Sequence, residues 1–260
     1  MNASTVIFAS LCFASLLAQP AAAQDVEDNS LNDAINQNEY ESCMTLAQRT
    51  PAEGYASAKS WSDQGGGAAA LHCGAVALIG MSKPKEAAQM LERAAEMIRD
   101  DKPALSADLF GQAGQAWTMA DDVTSALNAQ NEALALAPDN VDLLVDRAIS
   151  YAAKQNYRSA IADLDKAHEL AADRSDVLAY RASAWRYLLD NKQALADADA
   201  ALALDPKNPH ALLERGIIRR LSGDPEGARA DWMRVVALAG GTPAGDLAKA
   251  NLDKLAEKAN

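Results

Sequence analysis

Small and apolar residues return along this chain with a stride of 34. Ala126, Ala160, Ala194 and Ala228 form one row, Ala133, Ala167, Ala201 and Val235 a second, and Gly114, Ala148, Ala182 and Gly216 a third. Polar or glycine-containing breaks interrupt the pattern halfway through each repeat, at Asp121-Asp122, Gln155-Asn156, Asp190-Asn191 and Gly223-Asp224-Pro225. The pattern predicts four gapless blocks, 107–140, 141–174, 175–208 and 209–242, each a helix, a turn and a second helix. Antiparallel helices approach to about 8–10 Å only where the crossing residues are small, which is the physical reason for Ala and Gly in these rows. Asn140 and Asn208 stand where a helix N-cap is wanted, and Pro209 follows at the first helical position, where a missing N–H costs nothing.

Upstream the pattern weakens without vanishing. A copy begins at Ala68, with Ala75, Ala87 and Ala94 at the small places and Leu71 and Leu91 at core places, joined to the first regular block by Asp100-Asp101-Lys102-Pro103. Leu31 to Arg49 and Ala52 to Asp63 predict another helix pair, divided by Thr50-Pro51, so 24–103 is read as atypical units preceding the regular region 104–242. After Gly240-Gly241-Thr242-Pro243, the apolar Leu247, Leu252 and Leu255 among Lys249, Lys254, Glu257 and Lys258 predict a half-polar capping helix within 243–260. The expected fold class is therefore an all-α solenoid, in which each unit hides its apolar face only against its neighbours and the end units are atypical.

Within the blocks the eleventh place holds Trp117, Tyr151, Trp185 and Arg219, and Pro138 and Pro206 stand near two block ends where the others have Ala172 and Gly240. With small residues at the eighth, twentieth and twenty-seventh places, the chain resembles the tetratricopeptide repeat family over most of its length. The resemblance implies a right-handed superhelix of antiparallel helix pairs and a protein-interaction scaffold acting without catalysis. It further implies a concave groove lined by the first helix of each unit, near the second, fifth, ninth and twelfth places. Mapped on this sequence, those places show Asp108, Gln115, Asp142, Val145, Ile149, Asp176, Ala179, Ser183, Arg186, His210, Leu213, Ile217 and Arg220, with Tyr180 and Tyr187 beside them as further candidates. Family members that clamp a C-terminal carboxylate use Lys and Asn at the fifth and ninth places. This chain has Gly111 and Gln115, Val145 and Ile149, Ala179 and Ser183, Leu213 and Ile217 there, so that clamp is absent. Tyr180, Tyr187, Arg186 and Arg220 instead edge a partly apolar floor suited to an extended or helical peptide segment.

Composition changes the picture mainly at the N-terminus. Val6 to Leu17 is an apolar run followed by Pro20-Ala21-Ala22-Ala23-Gln24, which predicts a signal peptide over 1–23 with cleavage after Ala23, although Met1 to Thr5 carry no Lys or Arg. The run falls short of the roughly 20 apolar residues a membrane span requires, so no integral span is expected. The mature chain of about 237 residues is expected in a bacterial periplasm or secreted. A net charge of -12 argues against nucleic acid, whose phosphates need clustered Lys and Arg, and favours a protein or peptide partner. No HExxH, GxSxG or CxxCH occurs, so no catalytic residue, cofactor or metal site is assigned. The alternatives are a regulatory or accessory domain of an envelope enzyme, and a small-ligand carrier, which would need an enclosed apolar pocket.

Three further features carry chemistry. Cys43 and Cys73 form an even pair in an exported chain and are read as a disulfide stabilising by roughly 3 kcal/mol, with a redox or metal pair involving the adjoining His72 as the rival. Asp63-Gln64-Gly65-Gly66-Gly67 lacks the Lys-Ser or Lys-Thr of a phosphate loop and is read as a tight helix connection. Arg147, Arg181 and Arg215 occupy the seventh place and Asp163, Asp197 and Asp231 the twenty-third, while the first block has Ala113 and Ala129. Rows that appear and vanish together predict structural ion pairs, within a unit or between adjacent units; the rival is a set of arginines gripping an acidic peptide.

Overall fold

The computed structural model describes residues 36–257, and among them the chain forms thirteen helices and no strand. The predicted signal peptide and Leu31 lie outside the described residues. Helix α1 covers 36–49 of these, followed by α2 (Pro51–Asp63), α3 (Gly67–Gly80), α4 (Pro84–Met97), α5 (Pro103–Met119), α6 (Val123–Leu136) and α7 (Val141–Ala153). Then come α8 (Tyr157–Leu170), α9 (Ser175–Tyr187), α10 (Asn191–Leu204), α11 (Pro209–Leu221), α12 (Pro225–Ala239) and α13 (Pro243–Glu257). Each packs on its predecessor and successor. Odd-numbered helices from α5 to α13 also touch the next odd-numbered one, while the even-numbered helices are splayed apart, so the odd set lines the inner, concave side of a solenoid.

The turn chemistry repeats with the stride. The fifteenth place of each regular block is left-handed, at Asp121, Gln155, Leu189 and Gly223, with φ of 59°, 58°, 65° and 87°. This lets the next residue's N–H reach back to the eleventh-place carbonyl: Asp122 to Trp117, Asn156 to Tyr151, Asp190 to Trp185 and Asp224 to Arg219, at 2.9–3.0 Å. The same four residues then cap the following helix, their side chains accepting from the N–H groups of Ser125, Ser159, Gln193 and Gly227. Asn140 caps α7 through the N–H groups of Asp142 and Leu143, and Asn208 caps α11 through that of Ala211, with Pro209 at the first turn as expected.

The apolar interior is a ribbon. One cluster runs from Leu71 to Val177, a second from Leu178 to Ala248, and smaller ones gather around the Cys43–Cys73 disulfide and around Ala182, Ala194, Ala198 and Ile218. Within a unit the eighth and twenty-fourth places face one another. Gly216 faces the fully buried Trp232, and a Cβ there would stand 2.7 Å from Trp232 Cδ1; Gly114 likewise faces Gln130. Where the twenty-fourth place holds neither the indole nor the long unbranched side chain, as at Leu164 and Ala198, the eighth carries a methyl, Ala148 and Ala182. Gly216→Ala is therefore expected to lower stability by about 1–3 kcal/mol through overpacking. The same change should be near neutral when Trp232 is already Leu, the combination the second regular unit uses; urea unfolding of the four variants measures the coupling.

At the C-terminal end α13 buries Ala244, Gly245 and Ala248, with Leu252 and Leu255 packed against the second core cluster. Leu247, expected on that face, is 56% exposed. The close crossing with α12 selects the small residues of α13, and Leu247 falls on the opposite side. At the other end Cys43 of α1 and Cys73 of α3 are joined, with Cα atoms 6.1 Å apart. The glycine segment after α2 is a tight connection: Gly65 is left-handed and the Gly66 N–H returns to the Trp61 carbonyl.

Candidate interaction groove

The arginine and aspartate rows meet. Arg147 grips Asp163 through Nε and Nη2 at 2.8 and 2.7 Å, Arg181 grips Asp197 at 2.7 and 2.8 Å, and Arg215 grips Asp231 at 2.9 and 2.7 Å. Each guanidinium also reaches through Nη1 into the preceding unit, to Asn131, Asp165 and Asp199 at 2.8–2.9 Å. Both predicted geometries, within and between units, therefore hold at once, and the bidentate fork is fully occupied. The carboxylate bonds from Asp163, Asp197 and Asp231 hold the three guanidinium groups above their ordinary basicity against the opposing effect of burial. None is left to grip an acidic peptide.

On the concave side several charged candidates are likewise satisfied internally. Asp142 and Asp176 share Arg174, at 2.7 Å and at 2.7–2.8 Å, and this bond to Arg174 lowers the Asp176 carboxyl below its usual value. Arg186 bonds Glu214 in the next unit at 2.6 and 3.2 Å; burial opposes its charge, but Glu214 prevails and keeps it above its ordinary value. Gln115 donates to Asp146 at 2.8 Å, yet burial pushes the Asp146 carboxyl upward. Burial also raises the Tyr180 hydroxyl, whose ring lies 5.6 Å from that of His210.

Two corrections to the expected lining follow. Leu213 is only 5% exposed and belongs to the core, as do Gly111, Val145 and Ala179 at the same fifth place. Neighbouring odd helices approach too closely to leave it open: a Cβ on Gly111 would clash with Leu143 of the next unit. The sixth place is polar or aromatic in every regular unit, at Gln112, Asp146, Tyr180 and Glu214, and three of these four take a hydrogen bond from the preceding unit. Only Tyr180 of that row stands among the expected residues. The row is visible in the sequence as an unbroken column in the register already used for Arg147, Arg181 and Arg215.

What remains uncovered is chiefly apolar and aromatic. Ile149 is 36% and Tyr187 52% exposed, and Ser183 and Ile217 are half-buried beside them. Tyr187 is stacked parallel on Tyr157 with centroids 4.6 Å apart, and the Arg186 guanidinium lies 4.2 Å from its ring centre. Ile149, Tyr157, Tyr180, Ser183 and Tyr187 border a crevice of about 110 Å³ between α7, α8 and α9. His210 and Arg220 are exposed further along α11. The arrangement offers a rigid aromatic platform, an apolar notch and a hydroxyl, which suits docking of a side chain. Among the described residues no group of three or more His, Cys, Asp or Glu converges as metal ligands.

A larger concavity, about 900 Å³, lies on the outer side between α4 and α6, where Ala129 stands in the place of the missing aspartate. Its charged walls answer one another: Arg99 pairs with Glu96 and Glu132, Glu92 accepts from the Trp117 indole, and Asn131 accepts from Arg147.

No protein-family model and no curated protein sequence matches the chain. Solved structures match it in fold. MamA from Desulfovibrio magneticus RS-1 (residues 41 to the end) aligns with a TM-score of 0.58 at 16% identity, covering 68% of this chain and 97% of that one. YrrB, described as a TPR protein with an unusual peptide-binding site, aligns with 0.53 at 18% identity, covering 74% and 96%. The Cut9-Hcn1 assembly of the APC/C aligns with 0.61 at 14% identity, covering 85% of this chain and 46% of that one. The fold is the tetratricopeptide repeat solenoid.

Proposed function

We propose that this chain is a non-catalytic interaction scaffold of the bacterial cell envelope, exported under direction of residues 1–23, that holds an extended or helical segment of a protein partner in its concave groove. The observation that carries the reading is the contrast inside the groove. Asp142, Asp176 and Arg186 are engaged within the protein, while Tyr187, held by stacking on Tyr157, and Ile149 are left uncovered. Immobilised aromatics that lose little entropy on contact dominate binding energy at interfaces. The peptide-binding site named for YrrB supports the reading by analogy of fold. The Cys43–Cys73 disulfide supports an oxidising compartment.

The test is capture of partners from envelope extract of the source organism by the tagged protein and by two variants. Tyr187→Ala should weaken retention of the captured partner about tenfold or more, the effect of losing a hot-spot side chain. Arg158→Ala, on the exposed side of α8, should leave it unchanged. Equal retention by both variants would remove the groove from the reading.

A further inference from the structure

We propose that a second, separate pocket at the N-terminal end of the concave side binds a small apolar monocarboxylate of the medium-chain fatty-acid class. The pocket arises where the repeat loses its stride. Ala75 to Gly114 spans 39 residues, whereas the later eighth-place residues are 34 apart. The additional residues form the turn after α4 and one extra helical turn at the start of α5, which has 17 residues against 13 in α7, α9 and α11. That extra turn sets the exposed Lys102 and Leu105 at the rim of a half-open cavity of about 380 Å³ between α1, α3 and α5. This volume falls within the range of small-molecule sites, roughly 300–1,000 Å³, while the crevice beside Tyr187 does not.

Its chemistry points to one class of ligand. The floor and one wall are apolar, with Leu109 in the core and Leu105 left 48% exposed. The opposite wall is a hydrogen-bonded chain from three successive odd helices: Tyr40 Oη to His72 Nδ1 at 2.8 Å, and His72 Nε2 to Gln112 Oε1 at 2.9 Å. A carboxamide oxygen can only accept, so His72 donates through Nε2, and in the neutral ring its Nδ1 accepts from the Tyr40 hydroxyl. The valence left over is the Gln112 amide N–H pair, a donor. Lys102 is the charged residue of the lining and has no carboxylate partner among the described residues. One ammonium and one amide donor above an apolar floor match a single carboxylate carried on a hydrocarbon tail. No acidic side chain lines the pocket to repel it.

The disulfide is part of the site. Cys73 directly follows His72, and Cys43 lies one helical turn beyond Tyr40, so the Cys43–Cys73 bond clamps α1 and α3, two of the three helices whose side chains form the polar wall. Ring stacking of Tyr40 on His72, centroids 5.9 Å apart, depends on the same clamp. Ligand affinity is thereby tied to the oxidised state.

Titration calorimetry of the oxidised full chain with octanoate, and with octanol as the uncharged probe, tests the proposal. Octanoate is expected to bind one to one. Lys102→Met should weaken octanoate at least tenfold and leave octanol unchanged, reduction of the disulfide should weaken both several-fold, and Tyr187→Ala should alter neither. That last variant separates this site from the peptide groove, so either can fail without the other. Absence of octanoate binding, or an equal response of octanoate and octanol to Lys102→Met in a protein with unchanged helicity, would overturn the proposal. Displacement of octanoate by a short peptide ending in a free leucine carboxylate, but not by its amide, would overturn it too, by assigning the pocket to a chain terminus.

Discussion

Asp231→Ala is expected to lower the unfolding free energy by about 3–5 kcal/mol, the usual consequence of stripping one partner from a buried ion pair. Its side chain is 3% exposed and holds two guanidinium groups, Arg215 by a bidentate grip and Arg219 at 2.9 Å. Removing it leaves Arg215 with Asp199 and Arg219 with only the 4.0 Å ion pair to Asp224, so two largely desolvated cations lose their shared carboxylate. The other rungs are less exposed to this loss. Asp197 serves Arg181 alone among arginines, whereas Asp231 serves both Arg215 and Arg219; Arg181 and Arg215 each keep a second carboxylate, Asp165 and Asp199. Asp197→Ala should therefore cost less than Asp231→Ala, with urea unfolding monitored by circular dichroism giving the order. Replacing Arg215 and Asp231 together by apolar residues should recover much of the loss, because the penalty is desolvated, unpaired charge more than missing attraction. The rungs thus fix how one unit sits on the next.

Replacing Cys43 and Cys73 together by alanine should destabilise the N-terminal end by about 3–4 kcal/mol on the chain-entropy model for a bridge spanning 30 residues. The position matters as much as the size. In a solenoid each unit leans only on its neighbours, so the first unit has one supporting face and opens before the interior does. Amide exchange should accelerate by roughly 100- to 700-fold across α1 and α2, following the tenfold per 1.4 kcal/mol relation, and change little in α9. Uniform acceleration along the chain would mean that the protein unfolds as one cooperative body, contrary to the ribbon-like core.

The parts of this structure legible from the amino-acid sequence are those set by one helix pair. Ala126 and Ala160 mark the crossings, Asn140 and Asn208 two of the caps, and the coincident arginine and aspartate rows their own pairing, because these contacts recur in several copies at a fixed register and so print a period. Contacts between copies were harder to read. Leu213 looks like groove lining until the distance between neighbouring odd helices is known, and Leu247 looks apolar-faced until the close crossing of α12 and α13 selects Ala244 and Ala248 instead. The third member of each rung, Asn131, Asp165 or Asp199, belongs to the preceding unit and sits two places beyond the aspartate row. The N-terminal pocket depends on an interruption of the period, and an interruption tells where regular packing stops without telling what shape replaces it.

The central claim is that a partner segment lies along the concave face. A photo-reactive amino acid placed at Ser183, between Ile149 and Tyr187, and in a second protein at Arg158 on the outer helix α8, tests it in the native organism. The account predicts partner adducts from Ser183 and none of the same species from Arg158; adducts from Arg158 with none from Ser183 would contradict it.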